Sequence, residues 1–106
     1  MAENKKSPKY VYILRDETKH ADKSFRVWSI IAFQDSSDLF DYILRSINDK
    51  EDRRNVRWRI ELPDHYNKLQ IIGEGEFASM SEDNLGEFVE AKQTFTIEKI
   101  WLREAT

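Results

Sequence analysis

The chain has 106 residues and a formal net charge of −3; 40% of its residues are hydrophobic, 35% are charged and 12% are aromatic. This length suits one domain, the aromatic content argues against intrinsic disorder, and the absence of cysteine excludes disulfides, thiolate nucleophiles and cysteine-based zinc sites. Because no apolar run reaches the ~18 residues of a membrane helix and the polar N-terminus lacks the apolar segment of a signal peptide, we expect a cytoplasmic protein.

The N-terminal third of the chain predicts a tail and two strands. Residues 1–8 favour neither helix nor strand, so we expect a flexible tail before a single α+β domain over residues 9–106. A β-branched and aromatic run predicts the first strand near 9–15, and the polar stretch 16–24 is typical of a loop. Both faces of the next strand, residues 25–34, are largely apolar, which favours a central place in the sheet.

One amphipathic helix follows in the stretch DSSDLFDYILRSINDK, residues 35–50. Its apolar side chains recur with a period of about 3.6 residues, which predicts a helix packed on the sheet through one stripe. The stripe consists of Leu39, Phe40, Ile43, Leu44 and Ile47. Asp35 or Ser36 can cap the helix, since a short side-chain oxygen accepts a hydrogen bond from a free backbone N–H group.

The stretch RNVRWRIELP predicts a third strand whose side chains alternate between two faces. The apolar set, which we expect to build the core, is Val56, Trp58, Ile60 and Leu62. The outward set is Asn55, Arg57, Arg59 and Glu61. Residues 68–78 predict a fourth strand in a hairpin with the third, and its two glycines indicate a bulge or a close backbone approach.

The end of the chain predicts a second helix and a fifth strand. Ser79 and Glu82 have the spacing of a capping box for a short helix, although Gly86 weakens that helix. Residues 94–104 are typical of a strand. The expected order is therefore β-β-α-β-β-α-β, an α+β fold with a mainly antiparallel sheet of about five strands and one main helix packed on a face.

No motif in the chain favours catalysis, and we expect no metal and no cofactor. His20 and His65 are the first candidates for an active site, because two imidazoles can share the acid and base steps of phosphodiester cleavage. They lie 45 residues apart in polar stretches without a supporting motif, so a small histidine-dependent nuclease is the third hypothesis. The stretch GEGEFA has Ala78 where a phosphate-binding loop has its third glycine.

Basic residues cluster in the third strand. The candidate nucleic-acid site consists of Arg53, Arg54, Arg57 and Arg59, with no acid between them. Two positions along a strand span roughly 6.6 Å, about the spacing of adjacent phosphates. Trp58 points to the opposite face, so it cannot stack a base between the arginines. The alternative is a solvated face whose arginines pair with acids of the fourth strand such as Glu74 and Glu76.

Acidic residues cluster between positions 74 and 90, where no basic residue occurs. The candidate protein-binding residues are Glu82, Asp83, Glu87 and Glu90. Carboxylates spread over a rigid scaffold can mimic a row of phosphates and occupy the basic groove of a nucleic-acid-handling protein. An ordinary acidic surface is the alternative.

The leading hypothesis is therefore a small non-enzymatic interaction protein, a regulator, adaptor or inhibitor that binds a protein partner. Nucleic-acid binding is the second hypothesis. A homodimer is a further expectation, because the strands carry more aromatic side chains than a small domain can easily bury, and aromatic residues are enriched at interfaces.

Overall fold

The computed structural model describes residues 10–21, 25–49, 51–62, 68–79 and 82–102. They contain five strands, one α-helix and a short 3-10 turn over Glu82–Asn84. The strands are β1 (Tyr10–His20), β2 (Phe25–Phe33), β3 (Arg53–Glu61), β4 (Lys68–Ala78) and β5 (Phe88–Trp101), and the helix is α1 (Ser36–Ile47). The predicted tail, residues 1–8, lies outside the described residues.

All five strands join one antiparallel sheet in the order β2-β1-β5-β4-β3. β1 and β5 are neighbours inside the sheet and pair from Tyr10↔Trp101 to His20↔Ala91. The predicted α+β class, antiparallel sheet and β3–β4 hairpin are confirmed. The prediction that β2 is central is wrong: β2 lies at an edge, and the side chain of Ile30 is 61% exposed.

The helix α1 packs on one face of the sheet, here called the helix face; the other is the open face. Asp35 caps the helix by accepting a hydrogen bond from the Ser37 backbone N–H at 2.8 Å, and this bond lowers the pKa of Asp35. The core between helix and sheet consists of Leu14, Leu39, Ile43, Phe95 and Ile97. Burying one such side chain stabilises the fold by about 1.5–3 kcal/mol. Phe40 and Leu44 are half exposed, so the buried stripe is narrower than predicted.

The predicted second helix is absent from the described residues, where the chain instead forms a tight loop between β4 and β5. After the 3-10 turn the chain reverses at Gly86, whose φ of 88° lies in the left-handed region that favours glycine. The Ser79 backbone N–H closes the loop by donating to the Glu87 carbonyl oxygen at 2.8 Å. β5 then begins at Phe88, earlier than predicted, because residues 88–93 pair with β4. The observed order is β-β-α-β-β-β.

A bulge in β3 decides which of its basic residues lie on the open face and which lie on the helix face. Arg54 pairs with Glu76 and Arg57 with Glu74, so three steps along β3 lie opposite two steps along β4. Asn55 occupies the bulge with a φ of 55°, a conformation that asparagine tolerates better than most residues. The sequence predicted a bulge or a close backbone approach at the glycines of β4; the bulge lies in β3 instead, and Gly75 of β4 lies close to the backbone of Asn55 and Val56 in β3. Because of the extra residue, Arg54 lies on the open face with Arg57 and Arg59, while Arg53 lies on the helix face; simple alternation would have placed Arg53 and Arg54 the other way round.

β3 contributes less to the core than its alternation predicted. The ring of Trp58 stacks on Phe95 with 6.0 Å between centroids and packs against the core. Ile60 and Leu62, however, are 65% and 74% exposed, so the prediction that they build the core is wrong. The reason is the position of α1, which contacts β1 and β2 at the opposite side of the sheet.

Candidate functional site

A pocket of about 440 Å³ lies on the helix face, beside the C-terminal end of α1. Its walls combine residues from all five strands, from α1 and from the α1–β3 connection. We call this site the polar pocket, and its lining consists of Asp16, Thr18, His20, Ser29, Tyr42, Ser46, Asp49, Asp52, Arg53, Phe77, Ala78 and Gln93.

The polar pocket forms because α1 is shorter than the strands beneath it. The eleven residues of β1 extend about 36 Å, whereas the 12 residues of α1 extend about 18 Å. Under the helix the inward side chains are apolar, as at Leu14 and Phe95. Further along the same face they are polar, as at Asp16, Thr18 and Gln93, although all three are buried. The change from apolar to polar therefore marks where the helix stops covering the sheet.

Asp16, Gln93 and Arg53 form a hydrogen-bonded chain across the pocket. Gln93 Nε2 donates to Asp16 Oδ1 at 2.8 Å, and Arg53 Nη2 donates to Gln93 Oε1 at 2.7 Å. The Tyr42 hydroxyl lies 3.5 Å from the second oxygen of Asp16 and 2.7 Å from the hydroxyl of Ser29. Both ends of the Gln93 amide are thus paired, as a side chain only 1% exposed requires.

Burial changes the proton affinity of both charged members of this chain. Burial disfavours the carboxylate and raises the pKa of Asp16 above its ordinary value of 3.8, while the hydrogen bond from Gln93 and the charge of Arg53 oppose the rise. Burial also lowers the pKa of Arg53, and the carboxylates of Asp49, Asp16 and Asp52 oppose that shift. The pocket therefore holds a partly desolvated carboxyl group and a partly desolvated guanidinium group, which are linked through the amide of Gln93.

His20 closes one end of the pocket. It is 3% exposed, and its Nε2 lies 2.9 Å from the Ala78 carbonyl oxygen. A carbonyl only accepts, so Nε2 carries the hydrogen and donates it. Nδ1 has no hydrogen-bond partner among the described residues. His65, with which His20 was grouped in the nuclease hypothesis, lies outside the described residues.

The sequence prediction missed this pocket because it treated residues 16–24 as a loop, which is wrong for 16–20. A signal was present: every second residue from Tyr12 to His20 faces the helix side. Charged residues on the open face, such as Arg15 and Lys19, concealed that alternation. The prediction had no means of finding Gln93, since the pairing of β1 with β5 brings it to Asp16 from 77 positions away.

The four arginines of the candidate nucleic-acid site do not form one surface. Arg53 faces the polar pocket, since it lies before the bulge and pairs with Phe77. Arg54 Nε donates to Glu76 at 3.1 Å and its guanidinium lies over the Phe88 ring at 4.3 Å. Arg53 and Arg54, although adjacent in the chain, therefore differ both in burial and in the face of the sheet on which they lie.

The remaining two arginines, Arg57 and Arg59, are exposed on β3. Arg59 donates to Glu61 at 2.9 Å and also pairs with Glu74; both bonds raise the pKa of Arg59. The pairing of arginines with Glu74 and Glu76, foreseen as the alternative, is therefore present. Among the described residues, Arg57 is the one member of the four without a hydrogen bond or ion pair from its side chain.

The four candidate protein-binding acids lie in and next to the loop between β4 and β5. Glu82 and Asp83 are exposed in the 3-10 turn, and Glu87 is exposed at the residue before β5. Glu90 is exposed on β5, opposite Glu76. We call the segment over residues 82–90, which joins the β4–β5 loop to the first residues of β5, the acidic loop.

Comparison with protein-family models, curated proteins and solved structures finds no match to this chain. No helix of the described residues is long and apolar enough to cross a membrane. Within the same ranges, no group of three or more histidine, aspartate or glutamate side chains could hold a metal ion.

Proposed function

We propose that the chain is a small non-enzymatic regulator, adaptor or inhibitor that binds a basic protein partner through the acidic loop. The observation that carries this proposal is Leu85, which is 71% exposed between acidic neighbours on a closed turn. An apolar anchor surrounded by charged side chains is the common composition of a protein interface, with its apolar centre and polar rim. The cysteine-free composition favours the cytoplasm as the place of this interaction.

The distribution of charge also supports a basic partner. Glu74 and Glu76 already pair with arginines of β3. Among the described residues, the side chains of Glu82, Glu87 and Glu90 make no ion pair, so their charge faces outward. Carboxylates held on a turn between two strands can occupy a groove that normally binds phosphates, such as that of a nucleic-acid-handling protein. Direct nucleic-acid binding through β3 has less support, since Arg54 already pairs with Glu76 and Arg59 pairs with Glu61 and Glu74.

Neutralising the acidic loop is expected to abolish partner binding while the fold survives, because exposed carboxylates contribute little to stability. The four substitutions are Glu82→Gln, Asp83→Asn, Glu87→Gln and Glu90→Gln. Partners are captured on the tagged chain from a nuclease-treated lysate and identified by mass spectrometry. The affinity for the recovered protein is then measured at increasing salt, where a steep fall is expected.

A matched control removes the same charge from other positions. Its four substitutions are Asp38→Asn, Asp41→Asn, Glu51→Gln and Glu98→Gln, and this variant is expected to keep the partner. Leu85→Ser is expected to weaken binding about tenfold or more, as for an interface anchor. Equal capture by the neutralised variant and its control contradicts the proposal. A parallel capture from an untreated lysate tests the second hypothesis. If it recovers only nucleic acid, and nuclease treatment removes that material, direct nucleic-acid binding through the arginines of β3 is favoured instead.

We further propose that two copies of the chain associate through β2. The two edges of the sheet differ in charge: on β3 the exposed Ile60 lies between exposed charged residues, which discourage strand pairing, whereas β2 presents Ile30 and Ala32 as exposed apolar side chains. Two antiparallel β2 strands related by a twofold axis would continue the sheet and cover these side chains.

Ile30→Lys is expected to convert the dimer into a monomer, because it places a charge on each side of a twofold contact. The control is Ile60→Lys, which alters an equally exposed isoleucine on the opposite edge strand. Light scattering coupled to gel filtration measures the mass of each variant. A monomeric wild-type chain, or a dimer that Ile60→Lys disrupts and Ile30→Lys does not, rules out association through β2.

A further inference from the structure

The polar pocket carries more acid than base. Its lining includes three carboxyl groups and one guanidinium, since Asp16, Asp49 and Asp52 face Arg53. Asp49 and Ser46 also place the C-terminal end of α1 at the pocket, and this end of a helix carries a partial negative charge. Both features favour a positively charged ligand over a negatively charged one.

Hydroxyl groups form much of the remaining wall. Thr18, Ser29, Tyr42 and Ser46 supply four of them. A hydroxyl both donates and accepts hydrogen bonds, so it pairs well with another hydroxyl on a ligand. The apolar surface beside them comes from Phe77 and Ala78. A wall of this kind suits a compact polar molecule with an aliphatic ring or chain.

Two buried polar atoms in the pocket wall have no hydrogen-bond partner among the described residues; one is an acceptor and the other is a donor. His20 Nδ1 requires a donor, because Nε2 already holds the ring hydrogen. Arg53 Nε is itself a donor and requires an acceptor. An ammonium group satisfies only the first requirement, whereas a molecule that also bears hydroxyls satisfies both. The volume of about 440 Å³ lies in the range of small-molecule sites.

We propose that the polar pocket binds a small hydroxylated amine, a molecule of about the size of a monosaccharide with one ammonium group and several hydroxyls. The ammonium group lies among the carboxylates of Asp16, Asp49 and Asp52, and the hydroxyls contact the hydroxyl-lined wall. This site is separate from the acidic loop, so the chain can bind such a molecule whether or not it binds a protein through that loop.

The test compares amines with neutral counterparts of the same shape. Glucosamine and glucamine are titrated into the ¹⁵N-labelled full chain at about pH 6, where such amines are protonated, and glucose and sorbitol serve as their neutral counterparts. With at least one amine, saturable chemical-shift changes are expected at the backbone amides of Thr18, Ser46 and Gln93. The affinity of the chain for the neutral counterpart of that amine is expected to be lower by a factor of about ten or more.

Two variants locate the binding site. Asp16→Asn keeps the shape and the oxygen that accepts from Gln93, and it is expected to weaken amine binding about tenfold or more. Asp52→Asn, at an exposed position of the pocket rim, gives the same direction of change if the first variant fails to fold. The control, Glu98→Gln on the open face, is expected to bind normally. Absence of saturable shifts with both amines, equal binding of the neutral counterparts, or shifts confined to the acidic loop each overturns the proposal.

Discussion

Gly75→Ala is expected to lower the free energy of unfolding by about 1–3 kcal/mol, the usual cost of forcing an extra carbon into a packed contact. A Cβ at this position would lie 2.7 Å from both the Asn55 carbonyl oxygen and the Val56 Cα. These are backbone atoms of the β3 bulge, so no side-chain rotation can relieve the contact. Urea denaturation followed by circular dichroism measures the change.

Gly73 provides the matched comparison, because the atoms in its way belong to a side chain. A Cβ there would lie 2.5 Å from the Trp58 ring. Gly73→Ala is therefore expected to lower the free energy of unfolding in the wild-type chain but not in a Trp58→Leu background. Gly75→Ala is expected to lower it in both backgrounds. If both alanine variants are as stable as the wild-type chain, or if Trp58→Leu rescues both, the backbone contact at the bulge does not have the proposed role.

The glycines and the bulge show how far local pattern can predict this fold. Two glycines in one strand were a sound sign of a close approach, and the helix was recognisable from its period and its cap at Asp35. Strand order was not recognisable in the same way. The apolar character of β2 suggested a central strand, yet β2 lies at an edge, because apolar residues can serve an exposed surface as well as a buried one.

The candidate site was harder to predict than the fold, and the reason is physical. Its central hydrogen bond joins Asp16 to Gln93, which the order of the strands brings together. The inward direction of Arg53 depends on one extra residue in β3, and a shift of one residue moves a side chain to the opposite face. Neither feature has a local signature, so the arginines were expected on one surface.

Arg53 and Arg54 are expected to respond very differently to replacement by methionine, although they are adjacent in the chain. Arg53→Met leaves the buried Gln93 Oε1 without its donor and is expected to cost about 1–3 kcal/mol of unfolding free energy. Arg54→Met removes an exposed ion pair with Glu76 and is expected to cost less than about 1 kcal/mol. Methionine keeps an unbranched apolar stem in both cases, so the difference reports on the polar contacts.

The pH dependence of the Arg53→Met loss separates electrostatics from packing. Because burial raises the pKa of Asp16, this carboxyl group contributes stability that is fully present below its ordinary pKa of 3.8 and lost as pH rises through the raised value. The charge of Arg53 opposes the rise, so removing it makes the ionised carboxylate more costly. The loss on Arg53→Met is therefore expected to be larger near pH 7 than near pH 4, in denaturation curves recorded at both.

Adding Asp16→Asn to Arg53→Met completes the cycle. The double variant has no buried carboxylate to ionise, so it is expected to recover part of the lost stability at neutral pH and to lose the added pH dependence. Arg54→Met is the control at both pH values, since its side chain lies outside the pocket. A loss from Arg53→Met that is independent of pH, or that Asp16→Asn leaves unchanged, would mean that Arg53 acts on the fold by packing against Phe77 and that its charge does not stabilise the carboxylate of Asp16.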